Sequence, residues 1–113
     1  MIAIRVNEER RTIVRDMGLL QSALFRPETV AFGVEAYTDV FDKAAALLQS
    51  LACNHPFFDG NKRTAWISCM LMLRLNGVRL RVDVDLAEKL VLDVATGRLE
   101  NVSEIGDALR GLQ

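Results

Sequence analysis

His55-Pro56-Phe57-Phe58-Asp59-Gly60-Asn61-Lys62-Arg63 contains the only histidine of the chain and gathers ionisable, amide and glycine groups into one short stretch. Two apolar runs flank it. Upstream, Asp42 to Cys53 is rich in alanine and leucine, and downstream, Thr64 to Leu75 is almost entirely apolar. Both runs read as helices, and a polar loop between two apolar helices predicts an all-α fold, a compact helical bundle. The second run is apolar nearly all round, so it is expected to be the central helix of that bundle. The loop opens directly into it. Gly60 to Arg63 then lie near a helix N-terminus, where unpaired N–H groups and the helix dipole favour an anion, and a phosphate above all.

Each residue of the loop has a chemistry that fits such a site. His55, with an ordinary pKa of about 6.5, is neutral near physiological pH and can accept a proton from a hydroxyl nucleophile. Asp59 can hold Mg²⁺, because magnesium on a nucleotide takes one or two carboxylates together with phosphate oxygens and water. It can equally cap the second helix. Gly60 lets backbone approach a phosphate without a Cβ in the way, and Asn61 can donate from its amide. Lys62 supplies a point charge and Arg63 a planar fork. Two cations at the positive end of a helix are unfavourable without an anion between them. Phe57 is expected to anchor the loop on the core, while Phe58 is open to either role.

The remainder of the chain builds around this pair of helices. Asp16 is placed to cap a helix whose apolar face is Leu19, Leu20, Ala23 and Leu24, with Pro27 ending it. Residues 27–38 carry Val30, Phe32, Val34 and Tyr37 around Gly33, a pattern that fits a small β-hairpin flap or a connecting loop. Its edge can accept an extended peptide by strand addition. Asp39 or Thr38 caps the helix that stops at Asn54. Asn76-Gly77 ends the helix after the loop. Val78 to Val84 reads as extended, Asp85 and Glu88 as a capping-box pair opening a helix that Gly97 ends, and Ser103 to Leu109 as a last helix. Met1 to Glu9, with alternating Ile2, Ile4 and Val6, fits either a short strand or a helix start.

Composition excludes several function classes. A chain of 113 residues, half of them hydrophobic, forms one domain spanning 1–113 with a single core. A formal net charge of −1 leaves no general basic footprint for nucleic acid or a membrane surface. No apolar run is long enough to span a bilayer and Met1 to Arg15 lacks a signal-peptide core, so a cytoplasmic protein is expected. Cys53 and Cys69 lie on apolar helices without metal-ligand spacing and read as small buried side chains in a reducing compartment.

The loop, continued by Thr64-Ala65, resembles the signature of the Fic/Doc family, and specifically of its Doc (death-on-curing) toxin branch. The resemblance extends from Gly18 to Ala108. It takes in Gly-Leu-Leu-Gln-Ser-Ala-Leu at 18–24, Lys-Ala-Ala-Ala-Leu-Leu at 43–48 and Leu-Asn-Gly-Val at 75–78. It implies the Fic/Doc fold, with residues 27–38 as the flap that aligns a protein target. His55 would be the catalytic base, Asp59 the magnesium ligand, and Gly60, Asn61, Lys62 and Arg63 the phosphate cradle. Fic enzymes that transfer AMP carry Gly-Asn-Gly-Arg followed three residues later by a second arginine. Lys62 stands at the third of those positions, the second glycine, and Trp66 at the second-arginine position, as in the Doc branch. The resemblance therefore implies transfer of the γ-phosphate of ATP to a threonine of elongation factor Tu, arrest of translation, and a Phd-like antitoxin as partner. AMP transfer and a catalytically silent binding module are the alternatives that keep the same loop. The segment before Gly18 is shorter than the family's, so its first helix is expected to be clipped or replaced. Thr96 to Asn101 formally fits the Ser/Thr-x-x-x-Glu-Asn pattern of the family's inhibitory helix, but Gly97 would break such a helix and the arginine it should engage is missing.

Overall fold

A computed structural model of the chain describes residues 13–81 and 83–113. The strand-or-helix reading of Met1 to Glu9, and Val82 of the expected extended run, lie outside them. Among the described residues five helices follow one another: α1 (Met17–Phe25), α2 (Val40–Asn54), α3 (Asn61–Leu75), α4 (Val84–Ala95) and α5 (Val102–Arg110). A two-stranded antiparallel hairpin, β1 (Val30–Ala31) and β2 (Val34–Glu35), interrupts them between α1 and α2. The expected all-α bundle with a small hairpin is therefore the observed fold.

Local chemistry starts and stops these elements. Asp16 caps α1 by accepting from the Leu19 N–H at 3.0 Å, and Asp39 caps α2 by accepting from the Phe41 N–H at 2.7 Å. Beyond α3, Gly77 adopts φ +84° while Val78 N–H reaches back to the Leu73 carbonyl and Gly77 N–H to that of Arg74. This paired closure needs a left-handed residue, which glycine supplies at no steric cost. Two boundaries differ from the sequence reading. Arg26, before Pro27, keeps helical dihedrals, because Pro27 sits in the first turn of a 3₁₀ segment (Arg26–Glu28) where its missing N–H is not needed. Helix α4 starts at Val84, because Asp83 rather than Asp85 is the cap, accepting from the Leu86 N–H at 3.1 Å.

The centre of the bundle is α2, a correction to the expectation that the helix after the loop would hold it. Helix α2 packs against α1, α3, α4, α5 and the 3₁₀ turn. Ala44, Ala45, Ala46, Leu48, Leu51 and Ala52 are all fully buried. Alanine lets neighbouring axes come close, so a helix lined with it is surrounded on several sides. At Gly106 of α5 the approach is tightest: a Cβ there would run into the Asp42 carboxylate and stand 3.5 Å from the backbone of Phe41 and Asp42. Helix α3 buries Thr64, Ala65, Ser68, Cys69 and Leu73 on one face, but Trp66, Ile67, Met70, Leu71 and Met72 remain half-buried. Its large apolar side chains outnumber the neighbours that cover them.

The hairpin turn is formed by Phe32 and Gly33, both with positive φ, the arrangement whose twist suits a two-residue loop. Phe32 is fully exposed, and both strands are exposed throughout. The base of the hairpin is tied to α2. Lys43 pairs with Glu28 at 3.3 Å and Glu35 at 3.7 Å, and Arg26 donates to the Tyr37 hydroxyl at 3.2 Å and the Ser50 hydroxyl at 2.9 Å.

Candidate functional site

The loop joining α2 to α3 is held from three directions. From below, Pro56 and Phe57 are buried, Phe57 to 1% exposure, so the expected anchoring role of Phe57 is what the structure has. From the side, residues 13–16 run along the loop. Val14 and Phe57 form an antiparallel bridge, the N–H groups of Arg15 and Asp16 donate to the Pro56 carbonyl at 2.7 and 3.1 Å, and Phe58 N–H donates to the Ile13 carbonyl at 3.2 Å. From within, the Asn61 amide clasps Phe57, its Nδ2 donating to the Phe57 carbonyl at 2.9 Å and its Oδ1 accepting from the Phe57 N–H at 3.0 Å.

Asn61 is thus 9% exposed and its side chain faces the loop. The sequence reading gave that amide to a phosphate; the structure turns it inward. What Asn61 retains at the cleft is its backbone N–H, at the first position of α3. A reciprocal bond across four residues of irregular loop has no local sequence signature, because it depends on the loop turning back on itself.

His55 ends α2 in the left-handed conformation, φ 50° and ψ 57°. A non-glycine residue held there costs on the order of 1–3 kcal/mol, so its surroundings must enforce it. Arg15 contributes to this: its Nε donates to the His55 carbonyl at 2.8 Å and its Nη2 to the Asn54 carbonyl at 3.2 Å. The guanidinium thereby satisfies carbonyls that the end of α2 leaves open, at the negative end of the helix dipole. Sequence reading missed Arg15, which stands 40 positions away from His55.

The loop encloses a cleft of about 390 Å³ lined by His55, Phe58, Asp59, Gly60, Asn61, Lys62 and Arg63. All six of the expected site residues, His55, Asp59, Gly60, Asn61, Lys62 and Arg63, therefore border one space. Gly60, at φ 77°, is the N-cap of α3, and no side chain caps that helix. Asp59 does not take the capping role, and the N–H groups of residues 61–63 precede the first intrahelical bond, which Thr64 N–H makes to the Gly60 carbonyl at 2.9 Å. Lys62 and Arg63 follow in the first turn, which holds no acidic residue. Among the described residues, the side chains of His55, Asp59, Lys62 and Arg63 make no hydrogen bond or ion pair. Such an arrangement offers a convergent set of donors, one exposed imidazole and one free carboxylate, a chemistry suited to binding a phosphate and accepting a proton beside it. No group of three or more metal-ligating side chains occurs among the described residues, so a divalent ion here would have Asp59 as its carboxylate, completed by phosphate oxygens and water.

Other parts of the sequence reading resolve at the same level. Cys69 is fully buried, and burial pushes its thiol up to about 12, whereas Cys53 is exposed, a correction to the expectation that both are buried. The outward turn of α2 carries Cys53, whose thiol donates to the Val94 carbonyl at 3.2 Å. Thr96 to Asn101 forms the link between α4 and α5, with Thr96 the C-cap of α4, Gly97 at φ +79° and Asn101 the N-cap of α5. It is a connecting turn and not an inhibitory helix. No helix among the described residues is long and apolar enough to cross a membrane.

Comparison with known proteins agrees with the geometry. Residues 3–73 match the model of the Fic/DOC family. The chain is 56% identical over 85 residues to Toxin Doc of Mycolicibacterium smegmatis, covering 74% of this chain and 65% of that protein. It is 44% identical over 78 residues to Protein kinase doc of Escherichia phage P1, covering 69% of this chain and 60% of that protein. The aligned part thus spans a little under two thirds of each relative.

Proposed function

From the premise that this chain belongs to the Fic/Doc family, and to its Doc branch, we propose that it transfers the γ-phosphate of ATP to a threonine hydroxyl of a translation protein, elongation factor Tu in the first instance. In this reading it is the toxin of a toxin–antitoxin module with a Phd-like antitoxin, and the transfer arrests translation. The observation that carries the reading is the cleft at the start of α3, where Lys62 and Arg63, without side-chain partners among the described residues, lie with Asp59, an exposed histidine and a helix start that no side chain caps.

The chemistry follows from what each residue can do. Lys62, Arg63 and the first-turn amides hold the terminal phosphate and offset the charge that spreads over its oxygens during transfer. His55 accepts the proton of the target hydroxyl at its free ring nitrogen as that oxygen bonds to phosphorus. The bond from phosphorus to the bridging oxygen breaks, and ADP leaves with the bonding electron pair. Asp59 is the residue that would hold Mg²⁺, which when bound supplies charge neutralisation of the phosphates. Positioning dominates such a reaction, and the bridge from residues 13–16 together with the Asn61 clasp fixes the loop that does it. Residues 27–38, as the flap, would align the target segment by main-chain pairing along the exposed hairpin edge.

Lys62 favours phosphoryl over AMP transfer, since it stands where AMP-transferring relatives of the family pattern carry glycine. The test is the intact mass of elongation factor Tu after incubation with the protein, Mg²⁺ and ATP, beside a His55→Ala control. A His55-dependent gain of one phosphate is expected. A gain of AMP would overturn the kinase reading, and no gain with any translation factor would overturn the enzyme reading in favour of a binding module.

A further inference from the structure

Both strands of the hairpin between α1 and α2 are exposed, so its orientation is decided at its base. A two-stranded ribbon of this length has little stability of its own. Among the described residues, two cations tie that base to α2. Lys43 pairs with Glu28 before the hairpin and Glu35 in its second strand, but both carboxylates are more than half exposed, and such pairs contribute little. Arg26 is half-buried and holds more. Its backbone starts the first arm, the Arg26 carbonyl accepting from the Thr29 N–H at 3.1 Å and the Thr29 hydroxyl at 2.7 Å. Its side chain reaches the second arm and the helix at once. Nε donates to the Tyr37 hydroxyl at 3.2 Å, while Nη1 donates to the buried Ser50 hydroxyl at 2.9 Å and the Ala46 carbonyl at 3.3 Å. The guanidinium also lies over the Tyr37 ring, 5.8 Å from its centroid.

One planar group therefore joins both arms of the hairpin to the helix that His55 ends. A guanidinium is rigid and its donors point in fixed directions, so seating one end on the Ser50 and Ala46 oxygens fixes where the other end holds Tyr37. Ser50 stands roughly 7–8 Å before His55 along the α2 axis. We propose that Arg26 is a positioning residue for the reaction: it sets the angle of the hairpin to α2, and so brings a target segment lying on the hairpin to the His55 imidazole. The proposal rests on the reading that the hairpin aligns a protein target, and it names what holds the hairpin in place. A hairpin freed from this tie must be ordered again each time a target binds, so the loss appears in target binding. Arg26 does not line the phosphate cleft, and ATP binding is therefore indifferent to it.

The experiment measures transfer from Mg²⁺-ATP to full-length elongation factor Tu, each substrate varied in turn, with ATP binding followed by calorimetry. Arg26→Ala should raise KM for elongation factor Tu about 10- to 100-fold, the worth of a charged hydrogen bond, and leave Kd for ATP and kcat at saturation unchanged. Arg26→Lys, which keeps the charge without the fork, should restore only part. Tyr37→Phe removes one oxygen and keeps the ring, so it should raise the same KM by less. Combined with Arg26→Ala it should add nothing, because the hydroxyl has already lost its donor, and additive effects of the two substitutions would overturn the proposal. An unchanged KM for elongation factor Tu would overturn it as well, as would a weaker Kd for ATP beside a raised KM, the mark of a merely structural role. If Arg26→Ala fails to fold, Tyr37→Phe decides alone by the same two readouts. No transfer by the wild-type protein would overturn the kinase reading itself, and the positioning role with it.

Discussion

Replacing Asn61 by alanine separates a residue that holds the loop from one that touches phosphate. The amide makes two hydrogen bonds to the backbone of Phe57, at 3.0 and 2.9 Å, and Phe57 is 1% exposed. Truncation leaves one buried N–H and one buried carbonyl without their partner. Each such group costs about 1–3 kcal/mol, and partial relaxation of the loop lowers the sum, so a loss of about 2–4 kcal/mol is expected. That is a large share of the roughly 5–15 kcal/mol available to a domain of this kind. Urea unfolding followed by far-ultraviolet circular dichroism should show it as a midpoint lower by about 1–2 M. Asn61→Asp should fail to restore stability, because its carboxylate can accept from the Phe57 N–H but opposes the Phe57 carbonyl. A loss below about 0.5 kcal/mol for Asn61→Ala, the level of an ordinary surface change, would refute the clasp reasoning.

Three further outcomes follow from the same structure. Arg15→Ala should lower kcat for phosphate transfer by about 10- to 100-fold with KM for ATP little changed, since it frees the His55 backbone without touching the cradle; Arg15→Lys should restore only part, having no planar fork for two carbonyls. Thiol labelling at pH 8 should modify Cys53 in the folded protein and reach Cys69 only on unfolding, because the Cys69 thiol is buried and held at about 12; rapid labelling of both in the folded state would contradict the packing of α3. For Asp39, burial acts to raise the pKa, but hydrogen bonds from Arg110 and the Phe41 N–H outweigh it and hold the carboxyl below its ordinary value. A lowered carboxylate pKa adds stability above the unfolded-state value near 3.8 and loses it as pH falls through the folded value. The urea midpoint of Asp39→Asn should therefore lie below wild type at neutral pH and converge on it in acid, and a gap that persists in acid would point to packing instead.

Some of this architecture was legible residue by residue. Asp16, Asp39 and Gly77 act where they stand in sequence, within a turn of the helix end they serve, so their roles could be read locally. The loop residues were legible for the same reason: His55, Asp59, Lys62 and Arg63 need only a helix start to converge. The centre of the bundle was not, because apolarity records what a helix can bury and not how many neighbours reach it. Small alanines gave α2 its neighbours, while the larger side chains of α3 were left half-covered. Capping depends on where the first helical turn begins, which two acidic candidates two positions apart, Asp83 and Asp85, do not decide. Arg15 and the inward turn of Asn61 depend on chain segments brought together only by folding.

The bridge between Val14 and Phe57 gives the loop between α2 and α3 a mechanical handle. Tension or bulk applied to the chain just before Ile13 passes through a few main-chain bonds to the residues flanking His55, without crossing the helical core. A fusion placed upstream of that point would pull on the candidate site itself. One placed after Gln113 would be tethered near Arg81, whose side chain donates to the Gln113 carbonyl at 2.8 Å. Assays that compare tagged forms of this protein are therefore also measurements of how firmly that handle is gripped.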